Sequence, residues 1–165
     1  MRPLILLDTG VIGILINPKS YPDAVACRRW LGGVEAAGIS IAMALICYYE
    51  ARREWDRLIL RDREADPARG RVWLGALGRL ERLAGRVTLA PCDRKTMIIV
   101  AGYWAEARAR GLPTAPDESL DADVILAATA RRASRGGRDV CVITTNVAHL
   151  SRFVPARRWD EYPAD

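Results

Sequence analysis

Four short apolar runs set what this chain can become. Residues 4–8, 39–42, 87–90 and 139–144 are each only a few residues long, and Val, Ile and Leu are prominent in them. The stretches between them carry apolar residues at helical spacing instead. Strands that are apolar on both faces, alternating with helices, predict a mostly parallel sheet covered on both sides. The expected helices lie at 11–16, 22–37, about 44–64, from Asp66-Pro67 to about 86, from Asp93 to about Arg110, from about Asp121 to Ser134, and briefly at 147–150. Pro22 and Pro67 suit first helical turns, and Gly38 and Gly136-Gly137 suit helix ends. Residues 111–116, Gly-Leu-Pro-Thr-Ala-Pro, read as the clearest loop, and Arg157-Arg158-Trp159 as a last short strand. The fold class is α/β: a single domain over 1–165, with a central sheet flanked by helices. At 165 residues the chain is long enough to bury one core without staples.

Acids sit where these apolar runs begin and end. Asp8 closes the first run, Glu50 follows Ile46-Cys47-Tyr48-Tyr49, Asp123 opens Val124-Ile125-Leu126-Ala127-Ala128, and Asn146 follows the run ending Ile143-Thr144-Thr145. A carboxylate at the edge of a core is costly to desolvate unless positive charge meets it. Each residue has an ordinary explanation when taken alone. Asp8 suits an Asx-turn or helix cap, Glu50 a solvent-facing partner for a nearby Arg, Asp123 a favourable helix dipole, and Asn146 a cap. Asp121 is the better cap of its helix, which leaves Asp123 without that role. In parallel sheets ligands gather outside the carboxyl ends of the strands, where Asp8 and Asn146 both fall. Convergent carboxylates usually hold a divalent cation, and an all-oxygen set suits Mg²⁺ or Mn²⁺.

Other chemistries find little support. The four cysteines are scattered with no C-x-x-C, and His149 is the only histidine, so a zinc site is not expected. Free thiols in a reducing cytoplasm are expected. No run approaches the length of a membrane span, and no G-x-S-x-G or Walker pattern occurs. The net charge is +5, and all but two of the 25 basic residues are Arg. That charge permits a nucleic-acid partner without requiring one. The five tryptophans are expected in the core or an interface, and Arg131, Arg132, Arg135 and Arg138 at a solvated helix end.

The ordered set Leu6-Leu7-Asp8-Thr9, Tyr48-Tyr49-Glu50 with Arg52-Arg53, Asp123-Val124-Ile125-Leu126-Ala127-Ala128-Thr129-Ala130 and Ile143-Thr144-Thr145-Asn146 resembles the PIN-domain ribonucleases. It is most similar to the small toxin subunits of VapBC-type toxin–antitoxin pairs. The resemblance spans essentially the whole chain and implies a PIN-like fold. It also implies a metal-dependent endoribonuclease with Asp8, Glu50 and Asp123 as catalytic acids and Mg²⁺ or Mn²⁺ as cofactor. Asn146 takes a fourth place that is Asp in many members; it keeps an oxygen ligand and lowers the site's negative charge. Asp121 is an extra acid that the pattern does not demand. Thr9 and Thr144, inside the matching stretches, and Arg53 and Arg52 beside them are the candidate substrate contacts. The implied partners are an RNA substrate, a cognate antitoxin and a second copy in a homodimer, with no membrane, in a bacterial or archaeal cytoplasm. A weakened RNA- or protein-binding module, and a DNA nuclease or phosphatase using the same acids, are the alternatives. Residues 62–86 look longer than in the smallest relatives, so no role is carried over for them.

Overall fold

A computed structural model of the chain describes residues 2–19, 21–109 and 117–163. Five strands form one sheet: β1 (Leu4–Leu7), β2 (Ser40–Ala44), β3 (Thr88–Ala90), β4 (Val140–Ile143) and β5 (Ala156–Arg157). The order across it is β3-β2-β1-β4-β5, and every pairing is parallel. β1 lies at the centre because it alone is buried residue for residue. Ile5 pairs with Ile41 on one side and Cys141 on the other, and Leu7 with Met43 and Ile143.

The helices follow the sequence pattern closely: α1 (Thr9–Ile16), α2 (Pro22–Ala36), α3 (Leu45–Ala65), α4 (Pro67–Arg86), α5 (Arg94–Ala109), α6 (Asp117–Ala133) and α7 (Val147–Leu150). Gly38 adopts φ 71° just beyond α2, a conformation that other residues rarely take. Asp66 caps α4 by accepting from the Arg69 N–H, and Asp93 caps α5 by accepting from the Thr96 N–H, each at 3.0 Å. The loop 111–116 lies outside the described residues.

Three expectations need correction. α6 begins at Asp117, not at Asp121. The helix thus extends before its apolar periodicity starts. Asp121 is therefore inside the helix rather than its cap; its side chain lies outside the described residues. The last strand is Ala156–Arg157, one residue earlier than expected, because Trp159 starts a 3₁₀ turn and packs on Trp30, ring centroids 6.3 Å apart. Arg132 is not simply solvated: it pairs with Asp93 and donates to Thr96 Oγ1, tying α6 to α5.

Residues 62–86 contribute to the core through one face of α4, with Ala76, Leu80 and Leu83 buried. Asp62 closes the α3–α4 joint, accepting from the Arg61 guanidinium at 2.6 and 2.8 Å and from Trp73 Nε1 at 2.7 Å. These bonds hold its carboxyl well below the usual carboxylate range. Trp55 and Trp73 pack across the joint, and Leu80 on α4 is fully buried. Leu80→Ala should cost about 3 kcal/mol of stability in urea unfolding, the usual loss for a buried Leu truncation. A loss under roughly 1 kcal/mol would show α4 to be a detachable arm.

Candidate active site at the carboxyl edge of the sheet

The sheet reverses its winding between β1 and β4, which opens a crevice beyond their carboxyl ends. Asp8 stands on one side of that crevice. Its N–H completes the ladder to Ile143 O, and its carbonyl accepts the first helical bond of α1 from Ile12, both at 2.9 Å. Fixed between strand and helix, its side chain also caps α1: Oδ1 accepts from the Thr9 N–H at 2.6 Å. Across the crevice, the Thr144 hydroxyl donates to Asp8 Oδ2 at 2.7 Å and accepts the Asn146 N–H at 2.9 Å. Thr144 is fully buried.

Glu50 comes from the second turn of α3, which starts at the carboxyl end of β2. It does not turn outward to an Arg; its Oε2 accepts from the Thr9 hydroxyl at 2.7 Å. Asp123 comes from α6. That helix leads back to the start of β4, so its amino-terminal half lies at the same edge. One small residue makes the closeness possible. A Cβ on Gly10 would meet the Thr145 side chain, so glycine lets α1 and the segment after β4 approach.

Asp8 and Asp123 are each perturbed by burial and by neighbouring acids. Burial pushes the Asp8 carboxyl above its ordinary value, the hydrogen bonds from Thr144 and Thr9 pull it back, and the charges of Asp123 and Glu50 raise it again. Burial likewise raises Asp123, with His149 opposing and Glu50 reinforcing. Behind them, Cys47 is buried and its thiol is pushed far up by burial and by Asp8, so it adds no charge. All four cysteines are free thiols.

These residues fit a hard divalent cation in chemistry: oxygen donors, partial burial, and a mutual repulsion that a cation relieves. They are not a finished cage. Among the described residues no group of three His, Cys, Asp or Glu side chains is already arranged to hold a metal. Both Asp8 oxygens are occupied by one donor each, which leaves each a further lone pair.

The remaining candidates divide. Thr9 and Thr144 lie within the network. Arg53 is exposed and stacks on the Tyr49 ring, 5.4 Å from its centroid. Arg52 is drawn off to Asp56 and Glu81 at 2.8 Å each, which neutralises it as a phosphate contact. Asn146 is exposed and makes no capping bond with its side chain. Sequence reasoning missed His149. Its Nδ1 lies 3.6 Å from Asp123 Oδ2. The available signal was its position three residues after Asn146, the residue at the start of the short helix α7.

No protein-family model matches the chain, and a search of curated proteins gives no match. Solved structures do match. The VapBC2 structure from Rickettsia felis, bound to a DNA fragment from its promoter, aligns over 95% of this chain and 99% of its own, with TM-score 0.66 and 16% identity. The chain has a VapC-like PIN fold. FitAcB from Neisseria gonorrhoeae aligns over 96% of this chain and 99% of its own, with TM-score 0.64 and 25% identity. VapBC-1 from nontypeable Haemophilus influenzae gives 96%, 99%, 0.63 and 16% for the same measures. In this PIN fold the acids Asp8, Glu50 and Asp123 occupy the carboxyl edge, where α/β sheets bind ligands. No helix among the described residues is long and apolar enough to cross a membrane.

Proposed function

We propose that the chain is a metal-dependent endoribonuclease, the toxin of a toxin–antitoxin pair, acting in the cytoplasm as a homodimer. The observation that carries the reading is the coupling of Asp8, Glu50 and Asp123 through burial, charge and the Thr9 and Thr144 hydroxyls. The likeness to VapBC structures supports the partner half of the reading.

Asp8 and Asp123 would hold Mg²⁺ or Mn²⁺, with Glu50 completing the set. When bound, the ion supplies Lewis acidity toward a phosphate oxygen and a nucleophilic water at neutral pH. Thr9 anchors two acids at once, its N–H on Asp8 and its hydroxyl on Glu50, so α1 and α3 keep a fixed relation. Thr144, just past β4, ties that strand to Asp8 alone. Three carboxylates alone repel a phosphodiester, and one divalent cation still leaves the sum near −1. Arg53, three residues beyond Glu50 and stacked on Tyr49, would be the basic side chain to offset this.

The deciding experiment incubates purified protein with single-stranded and hairpin RNAs and Mg²⁺ or Mn²⁺. Cleavage stopped by EDTA and by Asp123→Asn is the expected result. Inactivity across varied RNAs with both metals would favour the alternative of a binding module.

Asn146 sets the strength of the site. Asn146→Asp adds a full charge at the rim, where solvent screens part of it. Metal affinity should rise by about threefold to tenfold, with the Mg²⁺ needed for half activity falling in step. Calorimetric titration checks this. Unchanged affinity and activity would place Asn146 outside the site.

A further inference from the structure

His149, the only histidine in the chain, stands beside the acidic site with its Nδ1 3.6 Å from Asp123 Oδ2. That gap is too long for a hydrogen bond. As an ion pair it would contribute little, since the two side chains are 32% and 28% exposed. Yet the position is not a loose one. α7 is a single turn, and Leu150, the next residue, is fully buried. The His149 N–H donates to the Asn146 carbonyl at 3.3 Å, and the Ser151 N–H to the Val147 carbonyl at 2.9 Å. The backbone of α7 therefore holds the imidazole at the edge of α6.

A shared cation accounts for such a spacing. Two ligand atoms, each about 2.1 Å from one ion, stand about 3.0 Å apart at octahedral angles and about 3.4 Å apart at tetrahedral ones. Small side-chain rotations would bring Asp123 Oδ2 and His149 Nδ1 into that range. The type of donor then decides which ion is favoured. Mg²⁺ is hard, takes oxygen and gives up its waters reluctantly. An imidazole nitrogen suits first-row transition ions, whose affinity for a mixed nitrogen and oxygen site rises from Mn²⁺ through Co²⁺ to Ni²⁺. Asn146, three residues before His149, is neutral and adds no charge to hold a hard ion. A nitrogen donor makes good that loss for transition ions and does little for Mg²⁺.

We propose that His149 supplies a nitrogen ligand beside Asp123, so that the site selects Mn²⁺ and later first-row divalent ions over Mg²⁺. The proposal rests on the metal-dependent reading of Asp8, Glu50 and Asp123, and it names the ion that such a site prefers.

The test uses the full chain without a histidine tag, whose nitrogens would compete. Because the chain has one histidine, a directly bonded imidazole nitrogen can be assigned without ambiguity. Pulsed electron paramagnetic resonance of the Mn²⁺-loaded wild type should show imidazole ¹⁴N coupling, and His149→Gln should lose it. Calorimetric titration without RNA gives the affinities. His149→Gln should bind Mn²⁺ about tenfold or more weakly and Mg²⁺ within about twofold of wild type, with circular dichroism unchanged. His149→Asp should bind Mg²⁺ more tightly and narrow the preference for Mn²⁺, because it supplies a charged oxygen instead. Absence of nitrogen coupling in the wild type would overturn the proposal. So would an equal loss of both ions in His149→Gln, which would make His149 only a brace for Asp123. Metal-dependent RNA cleavage without nitrogen coupling would remove this proposal and leave the nuclease reading. Nitrogen-coupled Mn²⁺ on a chain that never cuts RNA would do the reverse.

Discussion

Asp8→Asn should silence the proposed RNA cleavage and lack the rise in Tm expected of the wild type with Mn²⁺. The activity loss should exceed about a hundredfold, since even supporting residues of metal sites cost ten- to a hundredfold. The Tm shift follows from linkage: a cation that binds only the folded chain stabilises it by mass action, and the amide binds it far less well. The same variant exposes the cost of the site. Asp8 has a raised carboxyl pKa, from burial first and then from Asp123 and Glu50. Its folded form is therefore harder to ionise than its unfolded form. The stability linked to Asp8 is fully present below the unfolded carboxyl pKa and is lost as pH rises through the folded one. Without metal, wild-type Tm should fall relative to Asp8→Asn across that acidic window and then run parallel to it. The difference between the two profiles matters, because acids such as Asp62, with a lowered pKa, contribute the opposite slope to both proteins. Parallel profiles throughout would show that Asp8 carries no ionisation penalty in the folded chain.

The fold was legible because its periodicities are clean. Leu4–Leu7 and Val140–Ile143 are strands whose apolar pattern admits little else, and their central places in the sheet follow from it. The candidate acids were legible for the same reason: Asp8 ends a strand that must be buried. The pairing of side chains was not legible. Glu50 and Arg53 share α3, yet Glu50 turns to Thr9, forty-one residues away in sequence, while Arg53 turns to Tyr49. Such choices depend on where α1 docks, which no local pattern records. His149 was hidden in the same way, since its proximity to Asp123 exists only once α7 packs beside α6. The start of α6 was misread because it opens on Asp117-Glu118-Ser119, and apolar spacing cannot mark a turn that opens on polar residues.

Thr144→Val separates the support of the site from its chemistry. The replacement keeps the shape of a fully buried side chain and removes one hydroxyl. That hydroxyl accepts the Asn146 N–H and donates to Asp8 Oδ2. Leaving either group without a partner costs about 1–3 kcal/mol, readable in urea unfolding. A stability loss alone would be compatible with a purely structural peg. The pH profile distinguishes the two roles. The Thr144 bond is the strongest influence holding the Asp8 carboxyl down against burial. Without it, burial raises that carboxyl further, so ionised Asp8 appears only at higher pH. The acidic limb of the cleavage profile should therefore move to higher pH in Thr144→Val, and Thr144→Ser should restore it, because serine supplies the same donor and acceptor. A variant that loses stability while its acidic limb stays in place would show that Thr144 braces the crevice between β1 and β4 without tuning Asp8.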